Sequence, residues 1–206
     1  IDPLARRLME TAQMVVNVLS EGGLSNGGNG VVTLQKVRLI HASIRYYLKA
    51  GQYNNTKWEV SRYGEPINQE DLAGTLMSFG PVIITGLKRL NIKLSDSQIN
   101  DYMHCWKVVG HLMGIDERLL PDSYDDGFEL ATKILTHQAE ASEAGKALTR
   151  SCIEFMNALT PGNSFDEVPE YFISYFLEDF NQSTRKNLAE YIGVSDRSDK
   201  KDRIII

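Results

Sequence analysis

Apolar residues return at steps of three and four along most of this chain, and that rhythm restricts it to helices. Leu34, Val37, His41, Ile44 and Leu48 follow it between Val31 and Ala50, and Ile99, Met103, Trp106, Val109 and Met113 follow it further on. Helix-start and helix-stop residues sit at the ends of these runs. Asp2-Pro3 opens the first helix, Leu4 to Ser20, and Glu21-Gly22-Gly23 stops it. Asn68, with Glu70 and Asp71 in the first turn, starts a helix expected to run to about Leu90. Ser95 with Gln98 forms a capping box for Asp96 to about Met113, with Gly114 as its stop. One long helix or two consecutive ones are expected over Asp125–Leu159, then Val168–Phe180, then Thr184–Ile192 closed by Gly193. No segment alternates strictly enough to demand a sheet. The fold class is therefore all-α, a single-domain bundle of about seven to eight helices over residues 1–194.

The remaining segments read as connections. Gly22–Gly30 (GGLSNGGNG) reads as a flexible loop, and 52–66 as a long loop or a short hairpin. Residues 195–206 form a charged tail that ends in three isoleucines. The chain starts at Ile1 without a signal-like region, so a processed or trimmed product is expected and the compartment is left unknown. No apolar run is long enough to cross a bilayer, which predicts a soluble domain without a transmembrane segment. A net charge of −5 offers no electrostatic case for nucleic acid as a partner. Cys105 and Cys152 make neither a disulfide framework nor a spaced zinc site and read as core thiols.

Two helices break their own pattern. His41 stands in an apolar stripe where leucine would serve a core better, with Arg38 at i−3 and Arg45 at i+4. In the first helix, Leu4, Arg7, Thr11, Met14 and Val18 share the same spacing, which puts Arg7 and Thr11 at positions expected to be buried. Either feature alone suits a hydrogen-bonded core histidine or a buried Arg–carboxylate pair. Together they suit a pocket between two helices, in which an imidazole in a dry setting binds a metal whose cofactor carries anions.

Arg7, Glu10 and Thr11, followed some thirty residues later by Val37, Arg38, His41 and Arg45, resemble the latex clearing protein (rubber oxygenase) family. That family includes the ER-bound oxygenase of mycophenolic acid biosynthesis. Downstream, Pro66, Gln69, Asp71, Leu72, Gly86, Leu87, Leu94 and Ser95 extend the likeness, followed by Asp101, Tyr102, Trp106, Gly110 and Gly114. The resemblance covers about residues 4–121 and is looser beyond. It implies an all-helical fold enclosing a haem pocket, with haem b held by a proximal histidine. It also implies oxidative cleavage of carbon–carbon double bonds by dioxygen.

Carried across, His41 is the iron ligand, Arg38 and Arg45 bind the cofactor, and Arg7, Glu10 and Thr11 form the catalytic side. The implied partners are dioxygen and a hydrophobic isoprenoid or olefinic substrate, small or polymeric. Glu10 stands where rubber-cleaving members have a lysine, and it serves either as an acid/base or as a solvated carboxylate. Tyr46 replaces a second histidine of those members. Two other readings stand beside this one: a non-haem metal oxygenase using His41, His104 and carboxylates, and a non-catalytic helical scaffold. His104, His111 and His137 are otherwise expected on solvated surfaces, and Gly110 and Gly114 at close helix contacts.

Overall fold

The computed structural model describes residues 3–51, 58–159 and 168–194. Among the described residues every regular element is helical. They are α1 (Pro3–Leu19), α2 (Asn29–Lys49), α3 (Val60–Tyr63), α4 (Gln69–Phe79), α5 (Pro81–Arg89), α6 (Asp96–Met113), α7 (Tyr124–Gln138), α8 (Glu143–Leu159), α9 (Val168–Thr184) and α10 (Leu188–Tyr191). A 3-10 turn, Glu117–Leu119, lies between α6 and α7. The all-α expectation holds, and α3 and α10 are single turns beside eight longer helices. The expected Asp2 cap, the break at 160–163 and the 195–206 tail lie outside the described residues.

Chain contacts gather into two compact units. One comprises residues 7–88 and 92–131; the other comprises 1–6, 89–91 and 132–206. In the first, α6 is the central element, packed against both α2 and α4. Its expected stripe is buried where it should be: Met103, Trp106 and Val109 meet a core that includes Leu34, Leu76 and Ile84. Gly110 lets these helices approach closely, since a Cβ there would stand 2.6 Å from Leu76 Cδ2 and 2.4 Å from Leu120 Cδ2. In the second unit α9 packs on α8 and α10, burying Phe180, Leu188 and Ala189. There Arg89 donates to Asp179 at 2.9 Å and to Glu178, and its guanidinium lies 4.3 Å from the Tyr175 ring centre.

Three expectations need correction. The helix expected from Asn68 to Leu90 is two helices, because Pro81 lacks an amide hydrogen and turns Gly80 out of helical geometry (φ −87°, ψ −102°). Asn68 itself behaves as expected. Its side chain accepts from the amides of Glu70 and Asp71, and Asp71 accepts from the Asn68 amide at 3.0 Å. The penultimate helix runs on to Thr184, and the last expected helix shrinks to Leu188–Tyr191.

The glycine-rich segment 22–30 is the third. It is a close-packed turn rather than a flexible loop, and Gly23 and Gly30 are buried. A Cβ on Gly23 would lie 2.2 Å from the Asn17 carbonyl oxygen, and one on Gly30 would lie 2.7 Å from that of Gly23. Backbone stacks on backbone here, and only glycine permits it. Above the turn, Asn17 donates to the Thr33 hydroxyl at 2.9 Å and ties α1 to α2.

Candidate functional site

The turn at 22–30 brings the two irregular helix faces to one place. Arg7, Glu10, Thr11 and Met14 of α1 and Val37, Ile40, His41 and Ile44 of α2 line a single cavity of about 750 Å³, within the unit of residues 7–88 and 92–131. α4 contributes Leu72, Leu76 and Phe79, and α6 contributes Trp106, Val109 and Met113. Phe79 stacks on Trp106 with ring centres 5.0 Å apart, a rigid aromatic end wall. The walls are mostly apolar, and the volume lies in the upper part of the ~300–1,000 Å³ range of ligand sites.

His41 is half-buried on the α2 wall and has no hydrogen-bond partner among the described residues. Burial lowers its pKa below the ordinary 6.5, and the positive charges of Arg45 and Arg7 lower it further. The imidazole is therefore neutral at pH 7, with a nitrogen lone pair available to a ligand. The same shift makes stability depend on pH. Because the folded-state pKa is depressed, its contribution is complete above about 6.5 and is lost as pH falls through the folded value. Urea denaturation of the chain and of His41→Gln at pH 7 and pH 5 tests this. The variant is expected to lose less stability on acidification; equal losses would show that His41 is not the titrating group.

The structure divides the arginines differently from the sequence expectation. Arg38 Nη1 donates to the Leu112 carbonyl at 3.0 Å, and its guanidinium packs against Gly114, whose φ is +78°. Arg45 donates from Nε to the Pro66 carbonyl at 3.0 Å and from Nη2 to the Ile67 carbonyl at 2.7 Å. Neither residue lines the cavity. Ile67 has a φ of 54°, unfavourable for a β-branched residue, and Arg45 holds it there at the cavity edge. Gln69 completes the fastening, donating to the Gly114 carbonyl at 3.1 Å and accepting from the Asp116 amide at 2.8 Å. Arg38 and Arg45 therefore position the site's framework rather than project into it.

Arg7, Glu10 and Thr11 do line the cavity, but all three are exposed, which for Arg7 and Thr11 is contrary to the expected burial. An open cavity lets the Arg7 guanidinium keep its water, so no buried carboxylate is needed to balance it. The Thr11 hydroxyl donates to the Arg7 carbonyl at 2.9 Å, which leaves its oxygen as an acceptor. His104, His111 and His137 are exposed and line no part of the cavity, as expected. Among the described residues no group of three or more His, Cys, Asp or Glu converges as a metal site. Cys105 and Cys152 are free and half-buried, and burial raises the Cys105 pKa. No helix among the described residues is long and apolar enough to cross a membrane.

Sequence reasoning missed Lys36 and Trp58, which also line the cavity, and it singled out Asp71 without placing it there. A signal for Lys36 existed. Thr33, Lys36, Ile40 and Ile44 repeat the three-and-four spacing on the flank of the apolar stripe.

Over residues 2–177 the chain matches the family described as ER-bound oxygenase mpaB/B'/Rubber oxygenase, catalytic domain. It is 23% identical over 158 residues to a rubber oxygenase of Streptomyces sp. (strain K30), covering 76% of this chain and 38% of that protein. Its fold is similar to that of latex clearing protein LCP in the closed state, with a TM-score of 0.70 at 19% identity. That likeness covers 93% of this chain and 49% of the other. The chain thus spans less than half the length of each of these relatives.

Proposed function

Because the chain belongs to the ER-bound oxygenase mpaB/B'/rubber oxygenase catalytic-domain family, we propose that it is the haem b-holding part of an oxidoreductase. The reaction class is oxidation or cleavage of carbon–carbon double bonds in a hydrophobic isoprenoid or olefinic substrate, with dioxygen as co-substrate. One observation carries the reading: a half-buried imidazole, kept neutral and without a protein partner among the described residues, on the wall of a large apolar cavity. Those are the properties a histidine would need to ligate haem iron, so the residues present fit the group.

His41 is assigned as the ligand. Bound haem supplies the redox-active iron at which dioxygen chemistry occurs, and the protein's part is binding, orientation and electrostatics. Leu72, Leu76, Phe79 and Trp106 exclude water from one side and accept an apolar body. Thr11, with its hydroxyl proton directed to a carbonyl, offers an acceptor oxygen to the cavity. Glu10, a carboxylate on the cavity lining beside Thr11, is assigned to proton transfer there.

The absorption spectrum and iron content of the purified chain, expressed with haem supplied, test the reading. A Soret band with an equivalent of iron is expected. Iron without that band would favour a non-haem centre, although His104 lies off the cavity. Neither iron nor band would leave a scaffold without a cofactor.

A further inference from the structure

With Arg38 and Arg45 committed to main-chain carbonyls, the cationic side chains among the described residues that line the cavity itself are Arg7 on α1 and Lys36 on α2. Both are exposed, and neither side chain makes a hydrogen bond or ion pair among the described residues. The opposing charges on the same lining are engaged elsewhere. Asp71 accepts from the Asn68 amide at the start of α4, and Glu10 already has an interaction of its own. Two unpaired cations on a mostly apolar cavity are complementary to a ligand with an apolar body and anionic edges. Neither cation is needed by the fold, because Lys36 and Arg7 tie no element to another.

We propose that Lys36, together with Arg7, holds the carboxylates of the ligand in this cavity. This inference rests on the haem reading above, in which those carboxylates are the porphyrin propionates. Lys36 would then act as a binding residue on the flank of α2 away from Arg38 and Arg45. An ammonium on a flexible stem suits this task, since it can follow a carboxylate without bidentate geometry.

Titration of the apo chain with haem b and with haem dimethyl ester, in the same detergent, separates charge from shape. Lys36→Gln and Arg7→Gln are each expected to weaken haem b binding about fivefold, the scale of a solvent-screened ion pair. The ester, with neutral side arms, should bind both variants as it binds the parent chain. Lys36→Arg should restore the parent affinity for haem b. Lys93→Gln, which removes an exposed charge that does not line the cavity, should change nothing. Haem b binding to Lys36→Gln as tight as to the parent would overturn the assignment, and so would an equal loss with the ester. A parent chain that binds neither porphyrin would sink the haem reading itself, and this inference with it.

Discussion

His41→Ala is expected to leave the purified chain without haem, whereas His104→Ala retains it. Both residues are histidines within long helices, so helix propensity does not distinguish them. Their positions do: His41 lines the cavity with a depressed pKa, and His104 lies on the exposed flank of α6. Losing a group that merely orients a metal ligand costs about 10–100-fold in affinity, so losing the ligand itself should cost at least about 100-fold. Free imidazole added to His41→Ala should restore part of the Soret band by filling the vacated space. Haem retained at full stoichiometry by His41→Ala, or lost from His104→Ala, would show that the ligand is misassigned.

Gly23→Ala is expected to be the most damaging small substitution in the α1–α2 hairpin. The added methyl would lie 2.2 Å from the Asn17 carbonyl and 2.9 Å from that of Ser20, both backbone atoms that cannot swing aside. Overpacking of this kind costs about 3 kcal/mol, or about 6–12 °C in melting temperature for a chain of this size. Gly27→Ala, also in the turn, is the control. Its φ of +76° is strained for alanine, but nothing lies within 4 Å, so the loss should stay near 1 kcal/mol. Thermal melts of the two variants measure the difference, and equal melting temperatures would show that the turn is not close-packed. Because α1 carries Arg7 and Thr11, Gly23→Ala should also weaken haem binding, which Gly27→Ala should leave nearly unchanged.

Much of the fold was legible because its signals are local. The Ser95–Gln98 box starts α6 where expected, Asn68 starts α4, and the α6 stripe buries the residues that its spacing selected. The errors arose where a local signal meets a packing constraint. Glycine and asparagine in 22–30 carry the composition of a flexible connection, yet Gly23, Gly28 and Gly30 are there because backbone carbonyls of α1 and of the turn itself approach too closely for any side chain. Pro81 was visible, but the apolar pattern on both sides of it suggested continuity.

The candidate site divides in the same way. His41 stood out because a polar ring in an apolar stripe is anomalous on sequence alone, and Arg7, Glu10 and Thr11 proved to share its cavity. Arg38 and Arg45 carried the same charge signal at the same spacing, but spacing reports which helix face a side chain leaves, not what it reaches. A guanidinium spans enough distance to meet a neighbouring turn, and both found unsatisfied carbonyls at the Leu112 helix end and at the Pro66–Ile67 turn. Lys36 was passed over because a lysine beside an apolar stripe ordinarily marks the solvated side.

Periodicity and caps, which act over a few residues, therefore determined that this chain is helical, where most helices begin, and which helix faces are chemically unusual. Only the tertiary structure decided which of those charges line a cavity and which are spent fastening the frame. Long side chains choose partners by distance through space, and that distance is set by how closely α1, α2, α4 and α6 can pack.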